Sequence, residues 1–287
     1  MKLSTEIGSA VKIVGYEKAI ALCGQAGFDA WDLSMFSVFS FDWQTRRATL
    51  TDHPFGGPDY LRYARELRRI GEDHGMVCNQ SHAPFPVDCP QIRDFLKRAI
   101  ECTAEAGGRI CVIHPDNNKS AEENAQMYWK LLPFAHDCGV KIATENMWNW
   151  DDVKDVSSFA ACATGEDFCR HIDVVNDPYF VACLDIGHAQ MKGSGTGAVN
   201  MIHDLGPRLQ ALHVHDNDLW HDCHQIPFSM NVDFPAVIRA LKDVGYAGDM
   251  TLEADGYLHA YTADNILEGM KNLAASGRKL IRLYESL

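Results

Sequence analysis

Ala182-Cys183-Leu184-Asp185-Ile186-Gly187-His188 is an apolar run that ends in a carboxylate and an imidazole. Three more runs finish in the same kind of side chain: Ile142-Ala143-Thr144-Glu145, Leu212-His213-Val214-His215-Asp216 and Met250-Thr251-Leu252-Glu253. A buried strand does not end in ionisable groups unless something there compensates the charge. On either side of these runs the chain alternates apolar strand and amphipathic helix. The pattern predicts eight strands, over residues 2–8, 29–35, 76–83, 109–115, 140–147, 180–188, 209–217 and 249–255. Helical stretches such as Tyr60-Leu61-Arg62-Tyr63-Ala64-Arg65-Glu66-Leu67-Arg68-Arg69-Ile70 lie between them, with apolar residues three and four apart. Gly27, Gly75, Gly107, Gly139 and Gly245 fall just before strands, where a helix ends on a residue of positive φ. Eight such units predict an α/β fold, a closed (β/α)8 TIM barrel, rather than an open sheet. A doubly wound sheet would carry a glycine-rich phosphate turn after its first strand, and Gly8-Ser9-Ala10-Val11 is not one. No Pro/Ser-rich linker interrupts residues 1–287, which read as one domain.

Composition narrows the partners. The 287 residues are 46% hydrophobic, enough for one large core, and carry a net charge of −13. Phosphate binding needs a basic face, so no nucleic-acid partner is expected, and a small neutral or modestly charged substrate fits better. No run is long enough to cross a membrane, and the N-terminus has no apolar leader. The ten cysteines include no Cys-x-x-Cys pair, so they are expected as thiols of a cytoplasmic protein, with Cys78, Cys111 and Cys183 on strands.

In a barrel of this kind, reactive groups sit at the C-terminal strand ends. Glu145, Asp185, His215 and Glu253 end strands five to eight and so converge on one side of the mouth. A single acid at a strand end is ordinarily a solvated loop residue, but four on successive strands are not. Two Glu, one Asp and one His suit a divalent cation, Mn²⁺ foremost, with Mg²⁺, Co²⁺ or Zn²⁺ as alternatives. His82 ends strand three, His114 ends strand four, and His188 follows Asp185 by three residues. Each alone reads equally well as a structural imidazole; their shared address favours contact with substrate. Asp222-Cys223-His224 follows strand seven and can serve substrate or a second cation. His213 shares the face of His215 one layer deeper and is expected to orient a ligand. Aromatics after strand two, Phe36 to Trp43, and after strand five, Trp148 and Trp150, are placed to receive a small substrate or to form a subunit interface of a homo-oligomer. Gly193-Ser194-Gly195-Thr196-Gly197 reads as a flexible loop.

The run Cys183 to His188, the run Leu212-His213-Val214-His215-Asp216-Asn217-Asp218, the segment Val232 to Leu241 and the ending Gly245 to Glu253 resemble the sugar phosphate isomerase/epimerase family of xylose isomerase-like TIM barrels. Ketose 3-epimerases of that group hold one divalent metal by Glu, Asp, His and Glu, which the resemblance maps onto Glu145, Asp185, His215 and Glu253. It likewise maps a sugar-binding histidine onto His188. Endonuclease IV, a repair nuclease of the same superfamily, has a three-zinc site echoed by His82, His114, Glu145, Asp185, His188, His215, Asp222, His224 and Glu253. The chain departs from both. Asp216-Asn217-Asp218-Leu219-Trp220 lacks the arginine of the epimerases, and Ile226-Pro227-Phe228-Ser229 stands where a Gly-x-Gly turn follows Asp-x-His in other relatives.

The resemblance implies a metal-dependent sugar epimerase or isomerase with Glu145 and Glu253 as the acid/base pair. His82, His114, His188, Asp222, His224 and Trp148 are then the expected substrate contacts. A lyase or dehydratase acting on an oxidised sugar, cyclitol or glycoside is the alternative, since the same enediolate can expel a neighbouring group.

Overall fold

A computed structural model describes residues 1–287. Six parallel strands lie side by side in the order β2 (Ala30–Ser34), β3 (Val77–His82), β4 (Ile110–Val112), β5 (Lys141–Glu145), β6 (Phe180–Asp185) and β7 (Leu209–His213). β1 (Leu3–Thr5) pairs in parallel with β8 (Met250–Leu252). Single bridges from Glu6 to Asp32 and from Val214 to Leu252 join the two sheets and close the ring. The result is the expected barrel, with a helix after every strand.

Alternation along each strand sorts side chains between two compartments. On β6, Phe180, Ala182 and Leu184 face outward into the large core beneath the helices. Val181 and Cys183 face inward and pack with Val112, Ala143 and Ala211 in a small apolar plug inside the barrel. Asp185 continues that inward row to the mouth, as Glu145 does above Ala143 and His213 above Ala211. Ligand-type residues therefore sit on an apolar floor.

The five glycines expected to stop helices all have positive φ, from 67° at Gly139 to 95° at Gly27. Ser120 accepts from the Glu123 amide, and the Glu123 carboxylate accepts from the Ser120 amide, a reciprocal cap that starts the helix Ala121–Cys138. All ten cysteines are unpaired thiols, with Cys78, Cys111 and Cys183 on β3, β4 and β6.

The strands are shorter than the sequence suggests. The ladders of β4 and β8 stop at Val112 and Leu252, so His114 and Glu253 lie just past the ladder, where the chain turns across the mouth. Two antiparallel hairpins, Phe39–Asp42 with Arg47–Leu50 and Asn149–Asp151 with Val156–Ser158, rise over the mouth from the loops after β2 and β5. The Gly193–Gly197 stretch, read as flexible, is packed: Ser194 is buried with its Oγ 2.9 Å from Ser157 Oγ, and a Cβ on Gly193 would strike the Ser157 carbonyl.

Candidate functional site

Glu145, Asp185, His213 and Glu253 each place one ligand-type atom within 4.8 Å of the others, and all four are buried. Besides the expected His215, His213 also stands with the carboxylates: its Nδ1 is 3.1 Å from Glu145 Oε2 and 3.4 Å from Glu253 Oε2. Strand register is the reason. Asp185 is aligned with His213 across β6 and β7, so those two side chains share a level, and His215 rises one step above. There His215 Nε2 is 3.1 Å from Asp185 Oδ1 and 3.5 Å from Asp222 Oδ1.

Two further groups flank this one. His82 and His114 bring their Nε2 atoms to 3.0 Å from each other and to 3.5 and 3.3 Å from Glu145 Oε2. On the other side His188, His215, Asp222 and His224 gather, with Asp222 Oδ2 3.2 Å from His188 Nε2 and Asp222 Oδ1 3.0 Å from His224 Nε2. Trp148 is half-buried beside them, its ring centroid 6.4 Å from that of His188.

The imidazoles are held in fixed orientations. His82, His188 and His224 donate through Nδ1 to the carbonyls of Ala83, Asn146 and Glu253, at 3.2, 2.9 and 2.9 Å, which leaves each Nε2 aimed inward. His213 is turned the other way round. Its Nε2 faces Asp32 Oδ2 at 3.3 Å and the Gln80 amide at 3.1 Å, so Nδ1 is the atom it offers to the cluster. A carboxylate behind an imidazole fixes its tautomer and raises its basicity as a ligand.

Charge at the site is strongly redistributed. Burial pushes the Glu145 carboxyl up, but His213, His114 and His82 outweigh burial and hold it well below its ordinary value. Glu253 moves the opposite way, raised by burial and by the Glu145 charge despite His213 and His224. Burial and the neighbouring His82 lower His114 to about 4. His188 resists burial through Asp185 and Asp222 and rises to about 10. Asp185 Oδ2 is buried with no hydrogen-bond donor. An orphaned carboxylate oxygen beside two glutamates and an imidazole nitrogen is a donor set that a divalent cation satisfies, so these residues fit a metal.

Four supporting residues escaped the sequence reading. Asn146 ties β5 to β6, accepting from the Asp185 amide at 2.7 Å and donating to the Asp185 carbonyl at 2.9 Å. Glu6 is buried at the end of β1, accepts from the Gly8 amide at 2.7 Å, and is raised well above the usual carboxyl range by burial and Asp255. Asp32 and Gln80 complete the set. The available signal was a carboxylate lodged inside an expected strand, as in Thr5-Glu6-Ile7 and Trp31-Asp32-Leu33; Gln80, between Asn79 and Ser81, and Asn146, next to Glu145, carried none. Gly187 has a local reason too: any Cβ there would overlap the His215 ring.

His82, His114, Glu145, His188, Asp222, His224 and Glu253 form the floor of a cavity of about 650 Å³ whose walls carry Phe36, Trp43, Phe85, Trp148 and Trp150, with Asp185, His213 and His215 fully buried behind them. No helix is long and apolar enough to cross a membrane.

A parallel eight-stranded barrel with buried acid and imidazole side chains at its C-terminal mouth defines a class that comparison makes specific. The chain belongs to the xylose isomerase-like TIM barrel family, whose model matches residues 20–276. The uncharacterized protein MJ1311 of Methanocaldococcus jannaschii is 26% identical over 235 residues, covering 74% of each chain. A ketose 3-epimerase of Arthrobacter globiformis is 21% identical over 250 residues, 84% of this chain and 78% of that one. Among solved structures, a D-tagatose 3-epimerase-like protein superposes with a TM-score of 0.70 at 20% identity, over 98% of this chain and 99% of the other. At that identity the structural likeness speaks for the fold.

Proposed function

We propose that this protein is a divalent-metal-dependent sugar epimerase or isomerase. The observation that carries the reading is the buried cluster of Glu145, Asp185, His213 and Glu253, two of whose members, Glu145 and Glu253, line the floor of an aromatic-walled cavity. These four would hold the cation, Mn²⁺ by the hardness of three carboxylates and one imidazole. When bound, the cation supplies Lewis-acid stabilisation of the negative charge that develops on the substrate oxygens.

The two glutamates do the proton work. Glu145, kept charged by the imidazoles around it, removes the proton next to the carbonyl. Glu253, on the other side of the substrate, returns one. Return to the other face of the same carbon gives the epimer; return to the neighbouring carbon gives the isomer. His188, fixed by the Asn146 carbonyl and Asp222, and His82 and His114 on the opposite side, orient substrate hydroxyls. The aromatic walls exclude water from the reacting carbon.

The test is hydrogen exchange. Ketoses and oxidised glycosides incubated with the Mn²⁺-loaded protein in D₂O should acquire deuterium at the reacting carbon unless the proton is shielded from solvent, and substrate deuterated there should react more slowly. The two flanking histidine–carboxylate groups favour a second reading, hydrolysis at a multinuclear centre. Three tightly held metal ions per chain, with cleavage of abasic duplex DNA and no exchange on any sugar, would replace the first reading by the second.

A further inference from the structure

The cavity is larger than its floor requires, and its aromatic lining is divided into two tiers. In the lower tier Phe36, Phe85 and Trp148 abut the floor imidazoles. Phe36 lies 4.2 Å from His82, Phe85 4.9 Å from His114 and Trp148 6.4 Å from His188, between ring centroids. A sugar ring held by the floor is enclosed by these three. The upper tier is Trp43 and Trp150, one on each of the two hairpins above the mouth. Trp43 is 60% exposed, and Trp150 meets Trp148 of the lower tier edge-on, with ring centroids 6.3 Å apart.

Each upper ring is braced from behind. The Arg46 guanidinium lies over the Phe41 and Trp43 rings at 5.4 and 5.7 Å. The His221 ring stacks on Trp150 at 5.6 Å with a 27° tilt. Both turns are closed by an aspartate that accepts two backbone amides, Asp42 from Gln44 and Thr45, Asp151 from Val153 and Lys154. Braced aromatics at the upper wall of the cavity are a platform for a second ring. A volume of about 650 Å³ lies within the range of cavities that enclose ligands of drug size, about 300–1,000 Å³, which admits a ligand of more than one ring.

Charge limits what that second part can be. The lining contains Asp88, Asp116, Glu145, Asp222, Glu253 and Asp255 against two permanent cations, Lys12 and Arg46. Arg46 is already paired with Asp88. Away from the floor imidazoles, a phosphate dianion would meet Lys12 as the one unpaired permanent cation of the lining, whereas phosphate sites offer a converging set of donors.

We propose that the substrate is an unphosphorylated glycoside or oligosaccharide, with its reacting sugar on the carboxylate–imidazole floor and its second ring between Trp43 and Trp150. The inference rests on the sugar-converting reading and specifies the substrate for it.

Calorimetric titration of the Mn²⁺-loaded protein tests it, with D-glucose, D-galactose and D-mannose, their phenyl β-glycosides and their 6-phosphates as probes. At least one phenyl glycoside should bind about tenfold or more tighter than its parent sugar, a difference of about 1.4 kcal/mol. Trp43→Ala and Trp150→Ala should each bring that ratio toward one, with metal content and melting temperature unchanged. The 6-phosphates should bind more weakly than the free sugars. Equal affinity for sugars and glycosides, a glycoside preference that survives both substitutions, or a preferred 6-phosphate would overturn the proposal. Hydrogen exchange on free sugars, with no preference for glycosides, would remove this inference and leave the sugar-converting reading standing. Neither binding nor exchange with any carbohydrate would remove both.

Discussion

The two halves of the barrel interior are built on different principles. Between β4 and β7 the inward row is small and apolar: Val112, Ala143, Val181, Cys183 and Ala211. Between β8 and β3 it is polar. Ser4 Oγ donates to Asn79 Oδ1 at 2.7 Å, Asn79 Nδ2 to Thr251 Oγ1 at 3.0 Å, and Gln80 Nε2 to Asp32 Oδ2 at 2.8 Å. The apolar half delivers Glu145, Asp185 and His213 to the mouth. The polar half delivers Glu253 and, through Asp32 and Gln80, reaches across the barrel to hold the back of His213. An apolar plug positions by exclusion, since its strands fit only one way. A hydrogen-bonded network positions by direction, and it suits an imidazole whose two nitrogens have different tasks.

The largest expected effect lies at the ligands themselves. Glu145→Gln and Glu253→Gln should each lower kcat by about 10²–10⁴, the usual contribution of a positioned acid or base, with a near-native melting temperature. Near-wild-type turnover in either variant would reduce that glutamate to a dispensable ligand.

Asp32→Asn then asks whether the polar half serves the site or only packs. The amide keeps an acceptor for Gln80 but withdraws the charge behind His213. Supporting groups of this kind usually change metal affinity by about 10–100-fold. Titration of the metal-free protein with Mn²⁺ should show a loss in that range while the metal-free melting temperature holds. Unchanged affinity would erase the functional difference between the halves.

How much of this was legible in the sequence follows the same division. Glu145, Asp185 and Glu253 could be read because each interrupts an apolar run at its end, and the alternation of eight units fixed the barrel. Spacing favours His215 as the ligand and His213 as its support. The two share a face, and which of them stands level with Asp185 depends on the register between β6 and β7, which sequence spacing does not encode. Asp32, Gln80 and Glu6 went unseen for another reason. A lone polar residue within a strand resembles a solvent-facing position, and only ring closure turns that face inward. The two hairpins were visible as aromatic insertions but not as strands, since strands of three or four residues carry little periodicity.

In the apolar half, substitution should cost stability and spare chemistry. Val181→Ala removes two methyl groups from the plug and should cost about 1–3 kcal/mol in urea unfolding, with kcat per folded molecule unchanged. A fall in kcat without loss of stability would mean that the plug sets the positions of Asp185 and His213 more tightly than shape alone requires.

The smallest effect belongs to Thr251→Val, the counterpart in the polar half. The shapes are close, so packing is conserved, but the Asn79 amide loses its acceptor and Gln80 Oε1 loses the donor 3.3 Å away. The expected loss of stability is about 1–2 kcal/mol, the net contribution of two hydrogen bonds, the second of them long at 3.3 Å. The useful readout is Mn²⁺ affinity. Gln80 is the last link before His213, so a network that positions by direction should pass a small weakening on to the metal, measurable in the same titration as Asp32→Asn and smaller than that variant shows. Stability lost with metal affinity fully retained would mean that Asp32 alone orients His213. The polar wedge beneath it would then be packing, no different in kind from Val112 and Ala143 on the other side.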